Sequence, residues 1–285
     1  MKLIERSKII IDSTADISKE ILQEYNIDIA RFNLTDKTAN KHYKDGDLTN
    51  EELFYFLKQN HKFKTAQPAP LDYEELIINA KKDFEFIFIL TMSSDMSGAY
   101  QSAMIAKEEM GNDNIFVIDS RQATIGTGLV GLHMIDHLKD TEVIEDGLNK
   151  ISSTIDNTEM RVILDTPKYA VEGGRLSSAI GTLGDVIQIR PVVNMENGIP
   201  VAKKKMRLST IKLAINEFKN ILEAENINTN RIILGATSDM DDLDKIIANI
   251  PNMQYVEHLE KFKAGNVITS HSGPKTLGLA YTRKY

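Results

Sequence analysis

Several residue types and patterns are missing from this chain of 285 residues, and each absence excludes a class of function. There is no cysteine, so disulfides, thiolate metal sites and a cysteine nucleophile are excluded, in keeping with a reducing cytoplasm. Basic residues are outnumbered by acidic ones, and the net charge is −7. This charge argues against nucleic acid as the main partner, because binding phosphates requires a basic surface.

Targeting signals and two common catalytic motifs are missing as well. Met1 to Arg6 is too polar for a signal peptide, and no apolar run approaches the length of a membrane span. We therefore expect a cytoplasmic protein with peripheral or no membrane contact. The chain has neither a P-loop nor a G-x-S-x-G nucleophile elbow. His133 and His137 would share one helix face with Asp136, but without a further ligand we interpret this face as solvated and expect no metal.

The composition and the order of the predicted elements are typical of a globular α/β protein. Hydrophobic residues make up 42% and charged residues 26% of the chain, enough apolar residues for a full core. In the first half, strands alternate with helices, which predicts a parallel sheet covered by helices. The predicted strands are Lys8–Asp12, Ile27–Leu34, Glu85–Leu90 and Asn114–Ser120, with helices over about 18–25, 50–59, 72–83, 99–110, 126–138 and 143–155. A turn is predicted at Tyr43–Gly46, a capping box at Thr49–Glu52 and irregular backbone at Lys64–Pro70.

The second half has a different pattern, and we place a domain boundary near residue 155. The expected domains are residues 1–155, with the parallel sheet, and residues 156–285, with a mixed sheet and helices. Pro191–Val201 alternates around Asn197-Gly198, a strong hairpin signal. The other predicted strands are Arg161–Asp165, Arg231–Thr237 and Asn266–His271. The predicted helices begin at Thr166-Pro167, span 208–222 and 241–248, and run from Gly273-Pro274 through Leu279.

A serine-rich loop between a predicted strand and a predicted helix is the first candidate site. Ser93, Ser94 and Ser97 follow the strand Glu85–Leu90 and precede the helix that begins at Ala99. In an open α/β sheet, such a turn lies at the carboxyl edge, where ligands bind. Ser97 is a plausible N-cap, so backbone N–H groups and the helix dipole would favour an anion here. The alternative is that Ser97 only caps the helix.

Other candidate groups lie at predicted strand ends or in loops. Asp12 and Asp119 each precede a serine, and we interpret both as carboxylates that fix a loop rather than as catalytic groups. Thr65 and His271 are further candidates, although His271 could be a core histidine. The loop Gly173–Ser177 carries Arg175, and its glycines most simply mark a tight turn.

Taken together, seven ordered stretches resemble the DegV family over almost the whole chain. They are Ile11–Asp16, Tyr43–Gly46, Thr65–Pro68, Ser93–Ala103, Val117–Ser120, Glu172–Ser177 and His271–Gly278.

The resemblance implies a fold and a function. The fold would be two α/β domains, with a ligand in the cleft between them. That ligand would be a long-chain fatty acid, palmitate-like or oleate-like, and no other cofactor is implied. Several members act as the carrier subunit of a bacterial fatty acid kinase, in which a separate ATP-dependent subunit phosphorylates the carboxylate for phospholipid synthesis. By this resemblance the carboxylate would be bound by Thr65, Ser93, Ser94, Ser97, the backbone of Gly98, and His271. Arg175 would be a surface contact to the kinase subunit or its phosphates.

The sequence departs from the usual family pattern at five positions. The family commonly has Ser where Ala66 and Ala69 stand, Leu where Met96 stands, Thr where Ala99 stands and Gly where Lys275 stands. These changes bear on the preferred acyl chain more than on binding itself.

Two other functions stay open at this point. One is a serine hydrolase that uses Ser94 or Ser97 with His271 and an aspartate. The other is a regulatory protein whose cleft is only a seam between domains.

Overall fold

The computed structural model describes residues 1–111, 113–176, 189–223, 226–251 and 253–284. The helices over these residues are α1 (Leu3–Arg6), α2 (Lys19–Glu24), α3 (Asn50–Lys58), α4 (Pro70–Ala80), α5 (Ala99–Met110), α6 (Ile125–Asp140), α7 (Ile144–Asn157), α8 (Lys168–Glu172), α9 (Thr210–Leu222), α10 (Asp241–Ala248) and α11 (Asn266–Ser272). The strands are β1 (Ser7–Asp12), β2 (Asp28–Ala30), β3 (Asn33–Asp36), β4 (Lys41–Lys44), β5 (Phe63–Ala66), β6 (Phe86–Thr91), β7 (Ile115–Asp119), β8 (Thr158–Ile163), β9 (Arg190–Glu196), β10 (Ile199–Met206), β11 (Ile227–Ala236), β12 (His258–Lys263) and β13 (Leu277–Arg283).

The first half forms the expected parallel sheet, with strand order β2-β1-β6-β7. Every residue of β1 and of β6 is buried, as near-continuous runs of β-branched and aromatic residues predict for a sheet covered on both faces. The carboxyl ends of these two central strands lie side by side. Asp12 therefore comes next to the loop that follows Thr91.

A small antiparallel sheet, in the order β4-β3-β5, differs from the sequence prediction. The predicted single strand Ile27–Leu34 is wrong, because it divides into β2 in the parallel sheet and β3 in the small sheet. The chain bends at Phe32, which is buried in the core. The turn predicted at Tyr43–Gly46 begins only after β4, and the irregular stretch predicted at Lys64–Pro70 begins with β5. Pairing with β3 makes both segments extended, an effect that local sequence does not encode.

The second half forms the expected mixed sheet, with strand order β10-β9-β8-β13-β11-β12. Strands β11 and β12 are parallel, and the other neighbours are antiparallel. The predicted hairpin is confirmed: Asn197 and Gly198 have φ of 50° and 80° and connect β9 to β10. Positive φ at both central residues is the reason that Asn-Gly favours this turn. Strand β12 was not predicted, because it is a charged edge strand in which only Phe262 is buried.

Two predictions near the carboxyl terminus are wrong. Asn266–His271 was predicted as a strand but forms helix α11. The helix predicted from Gly273-Pro274 through Leu279 does not form, and the chain continues into strand β13 at Leu277. The β-branched residues of 266–271 favour a strand locally, but two buried carboxylates bind the amides of Gly265 and Val267 at the start of the helix. Strand β13 lies between β8 and β11, where Leu277 to Thr282 are buried.

Helix α6 is buried between the two larger sheets. Its residues belong to a core cluster that includes Ile9 and Leu90 from the parallel sheet and Met160 and Ile233 from the mixed sheet. An apolar surface on all sides is typical of a buried helix. At Gly128 a Cβ atom would lie 2.6 Å from the carbonyl oxygen of Ala15, so glycine is required for this close approach. The boundary predicted near residue 155 stays a prediction.

The face of α6 that carries His133 and His137 is packed rather than solvated, which corrects our interpretation. Arg231 Nη2 lies 3.1 Å from Asp136 Oδ2. His137 Nε2 lies 2.8 Å from Thr154 Oγ1 of α7. Over the ranges that the structure describes, there is no group of three or more His, Asp or Glu side chains able to hold a metal ion. In those same ranges no helix has both the length and the apolar character needed to cross a membrane.

Candidate functional site

The serine loop, residues 92–98, connects β6 to α5 and is fixed by the two aspartates at neighbouring strand ends. Asp12 accepts a hydrogen bond of 2.7 Å from Met92 N. Asp119 accepts bonds from Ser94 N at 3.3 Å and from Arg121 N at 2.8 Å. The interpretation of both carboxylates as loop-fixing is confirmed. Burial raises the pKa of Asp12 to about 6, although bonds from Thr14 and Met92 oppose the shift.

The helix after the serine loop begins at Ala99, as predicted, but its N-cap differs from the prediction. The N-cap residue of α5 is Gly98, so the prediction of Ser97 as N-cap is wrong. The amides of Met96 and Ser97 both bond to Ser93 O, at 3.1 and 3.2 Å, so Ser97 belongs to a turn that precedes the helix. Ser97 still contributes, because its Oγ accepts a bond of 3.3 Å from Ala99 N.

The three serine side chains lie in different environments. Ser93 is fully buried, and its Oγ donates a hydrogen bond of 2.7 Å to Gly198 O at the tip of the β9–β10 hairpin. Ser94 is exposed, and Ser97 is half-buried. The hydroxyl proton of Ser93 is therefore committed to the hairpin. In Ser97, by contrast, the hydroxyl oxygen accepts a hydrogen bond from Ala99 N, and this bond does not use the hydroxyl proton.

Thr65 and His271, which are 206 positions apart in the sequence, meet at one point. Thr65 Oγ1 of β5 lies 2.9 Å from His271 Nε2 at the end of α11. Burial, with a smaller contribution from the charge of Arg175, lowers the pKa of His271 to about 4. The imidazole is therefore neutral near pH 7, with Nε2 directed at the threonine. Nδ1 faces Gly173, where a Cβ atom would come within 2.2 Å of it.

A nearly wholly apolar cavity begins at His271 and extends between the mixed sheet, α6 and α11. The cavity has a volume of about 110 Å³ and is open at its mouth. Met96 of the serine loop and Ile125 of α6 also line it. The sheet wall is formed by residues of five strands, among them Met160, Val193, Pro200, Gly235 and Gly278.

The residues of the cavity wall were not predicted from the sequence, although two of them are glycines inside strands, which is a recognisable pattern. Gly235 and Gly278 are register partners on β11 and β13, and a glycine inside a strand often marks a close approach of another group. Here that group is Ile125, whose side-chain atoms would lie 2.6 Å and 2.7 Å from Cβ atoms at these two positions. The other wall residues are ordinary strand residues, and only the sheet order brings them together.

Arg175 lies at the mouth of the cavity. Its side chain is exposed, and Nη1 donates a hydrogen bond of 2.8 Å to Gly173 O. A guanidinium carries five N–H donors, and among the described residues Gly173 O is the hydrogen-bond acceptor of Arg175. Ser177, the last residue of the predicted loop, lies outside the described residues.

These features define an α/β protein in which two sheets share a core and enclose an apolar cavity with a Thr–His pair at its end. The model of the DegV family, described as uncharacterised proteins, matches residues 6–284. This chain belongs to the DegV family.

Individual family members are similar over their whole lengths. A DegV domain-containing protein of Caldanaerobacter subterraneus subsp. tengcongensis is 27% identical over 284 residues, which cover 99% of this chain and 100% of the relative.

Solved structures share the fold. The structure of a DegV family protein from Thermus thermophilus, described for its fatty acid binding, matches with a TM-score of 0.87 and 24% identity, covering 97% of this chain and 99% of that chain. The Fatty Acid Kinase (Fak) B3 protein of Streptococcus pneumoniae, loaded with linoleic acid, matches with a TM-score of 0.82 and 21% identity over 97% and 99%.

Proposed function

We propose that this protein binds a long-chain fatty acid, palmitate-like or oleate-like, with its acyl tail in the apolar cavity. The carboxylate would lie at Thr65 and His271, beside the serine loop with Ser93, Ser94, Ser97 and the backbone of Gly98. The observation that carries the proposal is a Thr–His pair at the end of an otherwise apolar cavity. The fatty-acid ligands of the similar solved structures support it.

The energetics suit a molecule with one long apolar part and one small polar end. Burial of an acyl chain contributes about 0.8 kcal/mol per methylene, and the cavity lining offers the chain almost no polar atom to desolvate. A carboxylate is costly to bury without hydrogen-bond donors. Donors are needed only at the end of the cavity, and that is where the two polar side chains lie.

The protonation state of His271 favours its role as a neutral donor. Its pKa of about 4 leaves it uncharged near pH 7, so Nε2–H can donate to a carboxylate oxygen. A bound carboxylate would raise this pKa, because a nearby negative charge favours the imidazolium form. Among the serines, Ser97 is the better second donor, since the proton of Ser93 is committed to Gly198.

We further propose that the bound acid is presented to a separate, ATP-dependent fatty acid kinase subunit. A carboxylate oxygen would attack the γ-phosphorus of ATP, the bond from that phosphorus to the bridging oxygen would break, and acyl phosphate and ADP would form. The motif analysis supports a separate ATP subunit, because the sequence has no P-loop. Arg175 at the mouth would contact the partner or its phosphates, for which a guanidinium is well suited.

The serine-hydrolase alternative has no geometric support. A catalytic serine must lie within hydrogen-bond reach of the imidazole, and over the described residues the side chain bonded to His271 Nε2 is Thr65. His271 Nδ1 faces Gly173 rather than an aspartate.

Native mass spectrometry of the purified protein, followed by denaturation and lipid analysis, tests the proposal. We expect about one fatty acid per chain, because the native state binds it and the unfolded state does not. An empty protein that takes up neither palmitate nor oleate would overturn fatty-acid binding. Phosphate transfer from ATP to the bound acid, on addition of a fatty acid kinase subunit, tests the carrier role separately.

A further inference from the structure

Asp16 is a buried carboxylate whose two oxygen atoms bind two different elements of the cavity. It ends the short turn that follows β1, with φ of 56°. Its Oδ2 accepts a hydrogen bond of 2.5 Å from Thr124 Oγ1, and its Oδ1 accepts one of 2.7 Å from Gly265 N. Asp16 is 8% exposed, so both bonds form largely out of water. Burial raises the pKa of Asp16 well above its usual value, and the two hydrogen bonds oppose this shift because they stabilise the charged form.

The first of these partners has a strained backbone. Thr124 has φ of 47° and ψ of −129°, a conformation that a β-branched residue rarely adopts. Such a residue persists only where its surroundings hold it in place. Thr124 lines the cavity together with its neighbours Ala123 and Ile125. The bond to Asp16 therefore holds a strained segment of the wall against which the acyl tail would lie.

The second partner starts the helix that carries the head-group histidine. Gly265 is the N-cap residue of α11, and His271 lies in the last turn of this seven-residue helix. Val267 N is held in parallel by Asp45 at 3.1 Å. A helix this short moves as a unit, so a shift at Gly265 would be transmitted to His271.

From these contacts we infer that Asp16 is a positioning residue, which holds the acyl-chain wall at Thr124 and the head-group helix at Gly265 in one fixed arrangement. The inference rests on the proposed function. The inference also extends that function, because Asp16 would contact neither the acyl tail nor the carboxylate and would still govern the binding of both.

Two ligands distinguish the effect of Asp16 on the acyl-chain wall at Thr124 from its effect on the head-group helix at Gly265. Hexadecanoic acid needs both the wall and His271, whereas hexadecan-1-ol has the same chain without a carboxylate and depends mainly on the wall. Affinities are measured by displacement of a fluorescent fatty acid from the full chain. The variants are Asp16→Ala, Asp16→Asn, Thr124→Gly and the double variant Asp16→Ala/Thr124→Gly.

We expect Asp16→Ala to weaken both ligands by about tenfold or more, equivalent to the loss of one buried hydrogen bond to a charged group. Asp16→Asn should retain affinities within about threefold of wild type, since an amide can accept from Gly265 N and donate to Thr124 Oγ1. Glycine adopts positive φ readily. The double variant should therefore recover the alcohol affinity while the acid stays weak.

The outcomes distinguish failure of the inference from failure of the proposed function. If wild-type protein binds neither ligand, the proposed function fails. If wild type binds the acid but Asp16→Ala leaves both affinities unchanged, the inference is overturned. It is also overturned if the double variant recovers neither ligand or both.

A remote variant controls for general loss of stability. Leu243→Ala removes a fully buried side chain from α10, in a core cluster separate from the one that contains α6. It should lower the melting temperature and leave both affinities unchanged. An equal loss of affinity in this control would reduce Asp16 to a structural role and contradict the inference.

Discussion

At the scale of single residues, the Thr65–His271 pair is the proposed binding site for the carboxylate. His271 lines the apolar cavity, and its Nε2 lies 2.9 Å from Thr65 Oγ1. Both residues were separate candidates in the sequence, and only the resemblance to the DegV family assigned them to one site. Neither their separation of 206 residues nor the local sequence around them predicts that the two side chains are in contact.

We expect His271→Ala and Thr65→Val each to weaken fatty-acid binding by about 1–3 kcal/mol, the usual cost of leaving a buried polar partner unpaired. Isothermal titration with palmitate measures the change. The chain offers a matched control in His42→Ala, because His42 Nδ1 bonds to Thr35 Oγ1 at 3.1 Å on the exposed surface. Unchanged affinity in both site variants would place the head group elsewhere.

A second residue-scale prediction concerns pH. The pKa of His271 is about 4 in the folded protein and about 6.5 in an unfolded chain. Between these values the unfolded state binds more protons at this residue, so the contribution of His271 to stability is present above pH 6.5 and is lost as the pH falls towards 4. Its size is at most about 3 kcal/mol.

The measurement is a comparison of wild type with His271→Gln, by urea unfolding without ligand from pH 4 to pH 7.5. Asp12, with a folded pKa raised to about 6 by burial, changes stability in the opposite direction over part of this range. Only the difference between the two proteins isolates the histidine. A difference that does not vary with pH would contradict the lowered pKa.

At the scale of elements, the β9–β10 hairpin is joined to the serine loop. Ser93 Oγ bonds to Gly198 O, and Pro200, two residues beyond the tip, lines the cavity. The hairpin was predictable from Asn197-Gly198, but its docking on the serine loop was not. That contact joins residues 105 positions apart.

We expect Gly198→Ala to destabilise the fold by about 1–3 kcal/mol through crowding, in addition to the cost of its positive φ. A Cβ atom there would lie 2.6 Å from Asp95 Oδ2 and 2.7 Å from Ser93 Oγ. Gly111→Ala is the control, because Gly111 also has positive φ, 54°, but nothing lies within 4 Å of its Cβ position. If both variants lose the same free energy of unfolding in urea, the hairpin tip is not closely packed against the serine loop.

At the scale of the whole molecule, α6 makes one core out of residues from both larger sheets. The shared cluster contains buried residues of the parallel sheet, of α6 and of the mixed sheet. Because each sheet packs against the same helix, loss of packing at α6 should be felt on both sides.

We expect Leu129→Ala to destabilise both sheets together, by about 2–5 kcal/mol, as is usual for a fully buried leucine. Native-state hydrogen exchange measures this, with amides of β1 and β13 as reporters. Both sets should lose the same free energy of opening. A loss confined to one sheet would show that the two halves unfold separately.

The sequence by itself determined the segments whose structure depends on neighbours along the chain. The strands β1 and β6, the bounds of α5, the capping box at Thr49 and the Asn197-Gly198 hairpin all follow local rules, and the structure confirms them. The ordered motifs identified the family. The roles assigned to Thr65, Ser93, Ser94, Ser97, Gly98, His271 and Arg175 follow from that family resemblance and stay predictions.

Only the tertiary structure decided the rest, because contacts between distant residues outweighed local preference. Residues 266–271 favour a strand locally but form α11, since Asp16 and Asp45 bind its first amides. Leu277–Arg283 follows a glycine and a proline and still forms a central strand, because β8 and β11 supply partners on both sides. The cavity wall likewise exists only because β8, β9, β10, β11 and β13 belong to one sheet. Sequence patterns at single positions carry no information about that arrangement.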